Sequence, residues 1–327
     1  METNSSLVSH KTTTQRYCTA CSGHYGLRSR HRRLLAEQLA TSTDFVVVAL
    51  ALTSKTVTEL RALLAKQHLV LQCNVTNETE VTQMAWAVEE LLSREPNTFL
   101  FAIVNNAGMA DPGDFLFDPS LKTYRTVMDV NFFGMLRVTQ ALLPMMLRTT
   151  KHGARILNMS SVCGAVASPG NSSYNASKFA VEAWSDALRT ELAPFHIVVT
   201  KVRPGQNRTQ IQVDWQTNYV KNFDAAPANV QELYGGETFR NKVLRIFQDG
   251  EKQSSAIIGE PSMVVETLRG ILTLPSHKIQ PYYWVGSDAN TLWRALSLLP
   301  VVVADTVKRN VLHFSPVEES AMQKKLD

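Results

Sequence analysis

Tyr174 and Lys178 stand four residues apart in Tyr174-Asn175-Ala176-Ser177-Lys178, and Ser161 lies upstream, just after an apolar run. On a helix, positions i and i+4 share a face, so phenol and ammonium would sit side by side. A free tyrosine titrates at about pH 10, too high to exchange protons usefully at neutral pH. A cation about 4 Å away contributes about 4 kcal/mol at an effective dielectric of about 20. That equals about three pKa units and brings the phenol close to the working range of a general acid or base. A hydroxyl from Ser161, at the end of a neighbouring strand, would then hold a carbonyl or alcohol oxygen against the phenol. The chemistry implied is proton transfer to or from a carbon-bound oxygen, coupled to a hydride transfer.

Such groups need a rigid frame, and helical and extended signals alternate along the chain. Arg32 to Ala40 reads as helix, Asp44 to Ala51 as buried strand, Val57 to Lys66 as helix and Leu69 to Val75 as strand. Val81 to Leu92 has helical periodicity, and the apolar run Phe99 to Val104 follows. Leu121 to Leu147 forms one long helical stretch, Arg155 to Ser160 a strand, Tyr174 to Phe195 a helix and Ile197 to Val202 a strand. This alternation, with continuously apolar strands, predicts an α/β fold: a doubly wound parallel sheet covered by helices on both faces. Ligands of such sheets bind at the carboxyl ends of the strands. A chain of 327 residues with 44% hydrophobic content can bury one large core. The expected organisation is a polar tail over 1–16, a single Rossmann-like domain over 17–275 and a C-terminal extension over 276–327.

A Tyr-x-x-x-Lys pair alone is weak, but three further features accompany it. Asn105-Asn106-Ala107-Gly108 follows the run that starts at Phe99, and Val130-Asn131-Phe132-Phe133-Gly134 sits inside a helical pattern. Arg203-Pro204-Gly205, with Thr209 close behind, ends the last of the apolar strands. In order and spacing these resemble the short-chain dehydrogenase/reductase family over most of the chain. The resemblance implies Tyr174 as general acid/base, Ser161 as orienter of the substrate oxygen, and Lys178 as the cation that lowers the tyrosine pKa and bonds the nicotinamide ribose. It implies Asn131 as holder of a relay water. Cofactor contacts would come from Thr19, Gly23, Gly26, Asn74, Val75, Asn105, Ala107 and Gly108, as well as Tyr174 and Lys178. Pro204, Gly205 and Thr209 would close over the nicotinamide end.

The nucleotide loop departs from the family pattern Thr-Gly-x-x-x-Gly-x-Gly, whose glycines let backbone amides approach a pyrophosphate. The matching stretch is Thr19-Ala20-Cys21-Ser22-Gly23-His24-Tyr25-Gly26, with Ala20 and His24 at two glycine positions and Gly23 adjacent. Thr12 to Tyr17 is polar for a central strand, and the basic run Arg28 to Arg33 opposes a helix dipole and reads as a solvated insertion. Cys18 and Cys21 read as small residues beside a turn, because no second Cys-x-x-Cys or paired histidine completes a zinc site, and no metal is expected. Cys163 reads as a packed thiol. The cofactor is expected to be NAD or NADP. No acid closes the second strand, Lys55 hints at a 2′-phosphate, and Asn74 stands where the family has an aspartate facing the adenine. A second reading keeps the fold but not turnover: a binding protein whose nucleotide loop has eroded.

The net charge of +4, without aromatic residues interleaved among basic stripes, argues against a nucleic-acid partner. Four cysteines fit a reducing compartment, and the polar N-terminus shows no leader or spanning helix. The expected location is intracellular, either cytoplasmic or at an internal membrane such as the endoplasmic reticulum. Trp215, Tyr219, Phe223, Tyr234, Phe239 and Phe247 form either a lid lining an apolar pocket or plain core. The tail from Pro281 to Ala289, with Trp293 and Leu296 to Pro300, resembles the retinol and hydroxysteroid dehydrogenase branch, which includes 3-hydroxybutyrate dehydrogenase. The resemblance implies a small hydrophobic alcohol, or its carbonyl, as substrate. Leu292 to Val307 is apolar enough to lie on a membrane surface or to pack as core, and the family implies a homo-oligomer through the Tyr174 helix.

Overall fold

A computed structural model describes residues 16–21, 30–41, 45–94, 98–148, 153–206, 210–253 and 259–311; side chains of 16–21, 30–34, 210–214, 247–253 and 309–311 fall outside that description. The first half runs β1 (Arg16–Cys21), α1 (Arg30–Ala40), β2 (Phe45–Ala51), α2 (Ser54–Leu63), β3 (Leu69–Gln72), α3 (Glu78–Arg94) and β4 (Phe99–Asn105). Then come α4 (Lys122–Met128), α5 (Gly134–Leu147), β5 (Arg155–Met159), α6 (Ser172–Leu192) and β6 (Val198–Pro204). Three helices follow, α7 (Gln210–Asp224), α8 (Ala228–Tyr234) and α9 (Gly236–Gln253), and the chain continues through α10 (Pro261–Thr273), β7 (Tyr282–Val285), α11 (Arg294–Leu296) and α12 (Val301–Val311).

The seven strands form one sheet in the order β3-β2-β1-β4-β5-β6-β7, with every pairing parallel. The expected doubly wound α/β fold is what the chain adopts, and its strand order reverses between β1 and β4. Alternate residues of β2 sort to opposite faces, as period-two geometry requires. Val47 and Ala49 join Leu35, Leu39, Leu60 and Leu268 on one face, while Val48 and Leu50 join Met84, Val88, Leu142 and Leu188 on the other. Each large side chain so buried contributes about 1.5–3 kcal/mol. Arg155, buried at the start of β5, donates to the carbonyls of Ile271, Leu272 and Leu274 and so caps α10 with a cation at its C-terminus.

Four elements differ from the sequence expectation. β1 spans Arg16–Cys21, so Thr19 lies inside the ladder, opposite Val48 on one side and Ile103 on the other. Pairing on both edges overrides the weak strand character of the residues themselves. Arg30 to Arg33, read as part of an insertion, form the first turn of α1. The stretch Leu121 to Leu147 is not one helix: a π-helical turn, Asp129–Phe133, separates α4 from α5. Lys122–Leu147 is long and apolar enough to cross a membrane, but half of its apolar window is buried, with α5 packed on α3 and β4 as a core helix. β7 falls within the C-terminal extension and extends the same sheet; four residues are too few for periodicity to reveal.

α6 is fixed against β6 by a buried ionic cluster. Glu182 lies 2.8 Å from Lys201 Nζ, and Arg203 donates to it from Nε at 2.9 Å and from Nη2 at 2.7 Å. Burial opposes ionisation of Glu182, but hydrogen bonds from Arg203, Lys201 and Ser160 outweigh it and hold the carboxyl below the usual range. A depressed folded value means the stabilisation is fully present above the unfolded value of about 4.3 and is lost as pH falls through the folded value. Glu182→Gln is therefore expected to lower unfolding free energy by about 1.5–3 kcal/mol at neutral pH, because Arg203 loses its counter-charge while Lys201 keeps Asp186 at 2.8 Å. Urea denaturation should show the gap closing below about pH 4; a variant as stable as the parent at neutral pH would refute this account.

Candidate active site

β5 ends at Met159, and the chain passes in extended form through Ser161 into a 3-10 turn, Val162–Gly164. Ser161 caps that turn, its Oγ accepting the Cys163 N–H at 3.2 Å. α6 packs against the turn, with Tyr174 in its first turn and Lys178 in its second. Lys178 is 3% exposed, donates from Nζ to the Met159 carbonyl at 2.8 Å, and lies 5.5 Å from the Tyr174 ring centroid. The i, i+4 spacing thus places cation and phenol ring on one side of the helix, at the carboxyl end of β5.

Asn131 sits in the π-helical turn, a distortion often found at functional sites. Its Oδ1 accepts the Met109 N–H at 2.7 Å, and its Nδ2 donates to the Met109 carbonyl and to Ser177 Oγ, both at 2.9 Å. Ser177 Oγ in turn donates to the Tyr174 carbonyl at 2.7 Å. Both amide hydrogens of Asn131 are taken, so its side chain clamps the loop after β4 to α6, and a relay water would fall to its backbone. Ala107 and Gly108 are buried in that clamped loop; a Cβ on Gly108 would stand 3.7 Å from Lys178 Nζ and 3.4 Å from Asn131 Oδ1. Backbone without a side chain thus faces the Lys178 amine and the Asn131 amide.

Other expected cofactor residues have different tasks in the structure. Asn105 donates from Nδ2 to Thr139 Oγ1 and Asn158 Oδ1, both at 2.9 Å, so its side chain braces β4, β5 and α5 instead of lining a ligand. Asn74 Oδ1 accepts from the N–H and hydroxyl of Thr76, an Asx turn that occupies the acceptor expected to meet the adenine. Val75 is buried against Gly134. Pro204 ends β6, and the Gly205 N–H donates to the Val285 carbonyl at 2.9 Å. Thr19 is described only as backbone in β1, and Gly23, Gly26 and Thr209 lie outside the described residues. Burial pushes the Cys163 thiol up, against the pull of Ser161, Ser168 and Lys178, which suits a packed thiol better than a nucleophile.

The aromatic segment resolves in favour of core. Tyr219, Phe223 and Phe239 are buried together around Phe117, with Tyr234 and Trp215 packed against them. Tyr219 and Tyr234 both hydrogen-bond Asp114, whose carboxyl is raised by burial. Asn222 donates to Asp111 Oδ1 at 2.8 Å and to the Pro112 carbonyl at 2.7 Å. α7 to α9 therefore grip the loop that Asn131 anchors; the side chain of Phe247 lies outside the described residues. Ser177 and Glu182 were not singled out from sequence, although Glu182 continues the four-residue spacing from Tyr174 through Lys178.

The chain matches the family described as short chain dehydrogenase over residues 33–220. It is 31% identical to the mitochondrial D-beta-hydroxybutyrate dehydrogenase of Rattus norvegicus over 70% of this chain and 66% of that protein, so it spans about two thirds of that relative. It is 30% identical to retinol dehydrogenase 7 of Rattus norvegicus over 92% of this chain and 89% of that protein. Retinol dehydrogenase 5 of Mus musculus is 31% identical over 89% of this chain and 86% of its own length. A solved short-chain dehydrogenase from Streptomyces avermitilis superposes with a TM-score of 0.65 at 22% identity, covering 93% of this chain and 99% of that one. Another, from Burkholderia cenocepacia in complex with NADP, superposes at 0.63 and 19% identity, covering 89% and 98%. On the matched sequence, the shared fold and the Ser161, Tyr174, Lys178 arrangement together, this chain belongs to the short-chain dehydrogenase/reductase family of NAD(P)-dependent oxidoreductases.

Proposed function

We propose that this protein interconverts a hydrophobic alcohol, retinol-like or hydroxysteroid-like, and its carbonyl with NAD(P). The buried ammonium of Lys178 beside the Tyr174 ring carries the assignment, because it gives the phenol a use that a surface pair would not have. The dinucleotide, when bound, supplies or accepts the hydride. Tyr174 delivers a proton to the carbonyl oxygen, or takes it from the alcohol. Lys178 stabilises the phenolate left behind, the Ser161 hydroxyl holds the reacting oxygen, and Asn131 keeps α6 and the β4 loop in register. Similarity to two retinol dehydrogenases over most of their length supports the substrate class. Lys55, in a first turn of α2 without acidic residues, favours the 2′-phosphate of NADP.

The same proposal places the protein at an internal membrane. Leu298, Val301 and Val302 are 80%, 73% and 75% exposed, and Leu299 and Val303 continue the run around Pro300. This exposed apolar run at the start of α12 suits insertion into lipid.

Tyr174→Phe should lower turnover about 10²- to 10⁴-fold while the protein still binds dinucleotide. Absorbance assays with retinol, an androsterone-type steroid and 3-hydroxybutyrate, each with both cofactors, check this. Dinucleotide binding without turnover of any of the three would defeat the substrate assignment, and no binding at millimolar concentration would favour a non-catalytic binding protein. Replacing Val301 and Val302 together by aspartate should reduce co-sedimentation with phosphatidylcholine vesicles about tenfold or more; equal sedimentation of variant and parent would remove the membrane from the picture.

A further inference from the structure

Asp288 takes no part in the chemistry above, yet it is a carboxylate only 5% exposed, just before the π-helical turn Ala289–Trp293. Burial of a carboxylate is costly unless hydrogen bonds replace water. Oδ2 accepts the Gln206 N–H at 2.8 Å, while Oδ1 has no donor among the described residues. The carboxylate is wedged against the turn that leaves β6. A Cβ on Gly205 would overlap both its oxygens, and a Cβ on Gly286 would stand 2.9 Å from Oδ1. Gly286 has φ +112°, a conformation that only glycine adopts readily, and it folds the chain back after β7 so that Asp288 arrives there. Asn290 holds the bend by donating to the Gly286 carbonyl at 2.9 Å. Both N–H groups of the Gly205–Gln206 turn are thus tied to this segment, one through Val285 and the other through Asp288.

The segment also packs against the turn that follows Ser161. Ala289, Trp293 and Leu296 pack with Val162, Val166 and Cys163 in one apolar cluster. We propose that Asp288 is a positioning residue for the dinucleotide, resting on the family's use of NAD(P): it pins the Gly205–Gln206 turn in the shape that receives the cofactor at the end of β6.

Titration of the full chain with NADH and NADPH, followed by nicotinamide fluorescence well below the melting midpoint, tests the pin. Asp288→Ala should raise the Kd of the preferred dinucleotide about tenfold or more, the loss of a hydrogen bond to a charged group. Asp288→Asn keeps an acceptor for the Gln206 N–H and should stay within about threefold of the parent. Gly205→Ala collides with the carboxylate and should also weaken binding about tenfold, yet the double variant with Asp288→Ala should lose no more than the worse single change. The KM for the alcohol should move less than about threefold throughout. Parental affinity in Asp288→Ala, an Asp288→Asn no better than alanine, or losses that multiply in the double variant would each overturn the proposal. If Asp288→Ala does not fold, Gly205→Ala decides: folded protein with parental affinity overturns it. A parent protein that binds neither dinucleotide overturns the cofactor assignment beneath it, an outcome distinct from variants that match a binding-competent parent.

Discussion

Lys178 keeps its ammonium almost out of reach of water, and the arrangement around it answers that cost. Desolvating such a cation costs several kcal/mol, offset by the Met159 carbonyl at 2.8 Å and by the electron-rich Tyr174 ring. This compensation works in one rotational setting of α6. Turning the helix by one residue, about 100°, would withdraw the amine from β5 and break the Glu182 cluster with Lys201 and Arg203. Glu182 and Ser177, on the helix that bears the reacting pair, therefore serve to hold its setting. The chemistry of the site and the docking of α6 are one constraint.

Much of the frame was legible because β2 and β4 are apolar on both faces, the pattern of strands covered by helices on either side of a parallel sheet. The catalytic spacing was legible for a similar reason: four residues on a helix is a geometric statement. What sequence could not show was the partner of each amide. Asn74, Asn105 and Asn131 offer the same chemical group, and only the packed structure reveals that one forms a local turn, one braces strands and one clamps α6. β1 was obscured because its neighbours, more than its own residues, make it a strand. Asp288 follows a short edge strand in an irregular stretch, where neither periodicity nor spacing marks it.

The aromatic residues of α7 to α9 belong to a cluster separate from the two that sandwich the sheet. A small satellite core can open at lower free energy than the main body, because few of its contacts reach the sheet. Asp114 and Asn222 latch this unit to the loop after β4. The unit is thereby joined to the site through the loop that Asn131 clamps to α6.

The outermost strands, β3 and β7, are each four residues long. Their brevity leaves few free backbone donors and acceptors along either margin, so a neighbouring molecule finds little template on which to add a strand. The longer, greasier ribbons, β2 and β4 among them, are sequestered inside. For this chain the hazard of fibrillar or amorphous association is concentrated in the interval before those two short borders have docked, and newly made protein is more vulnerable than protein that has matured.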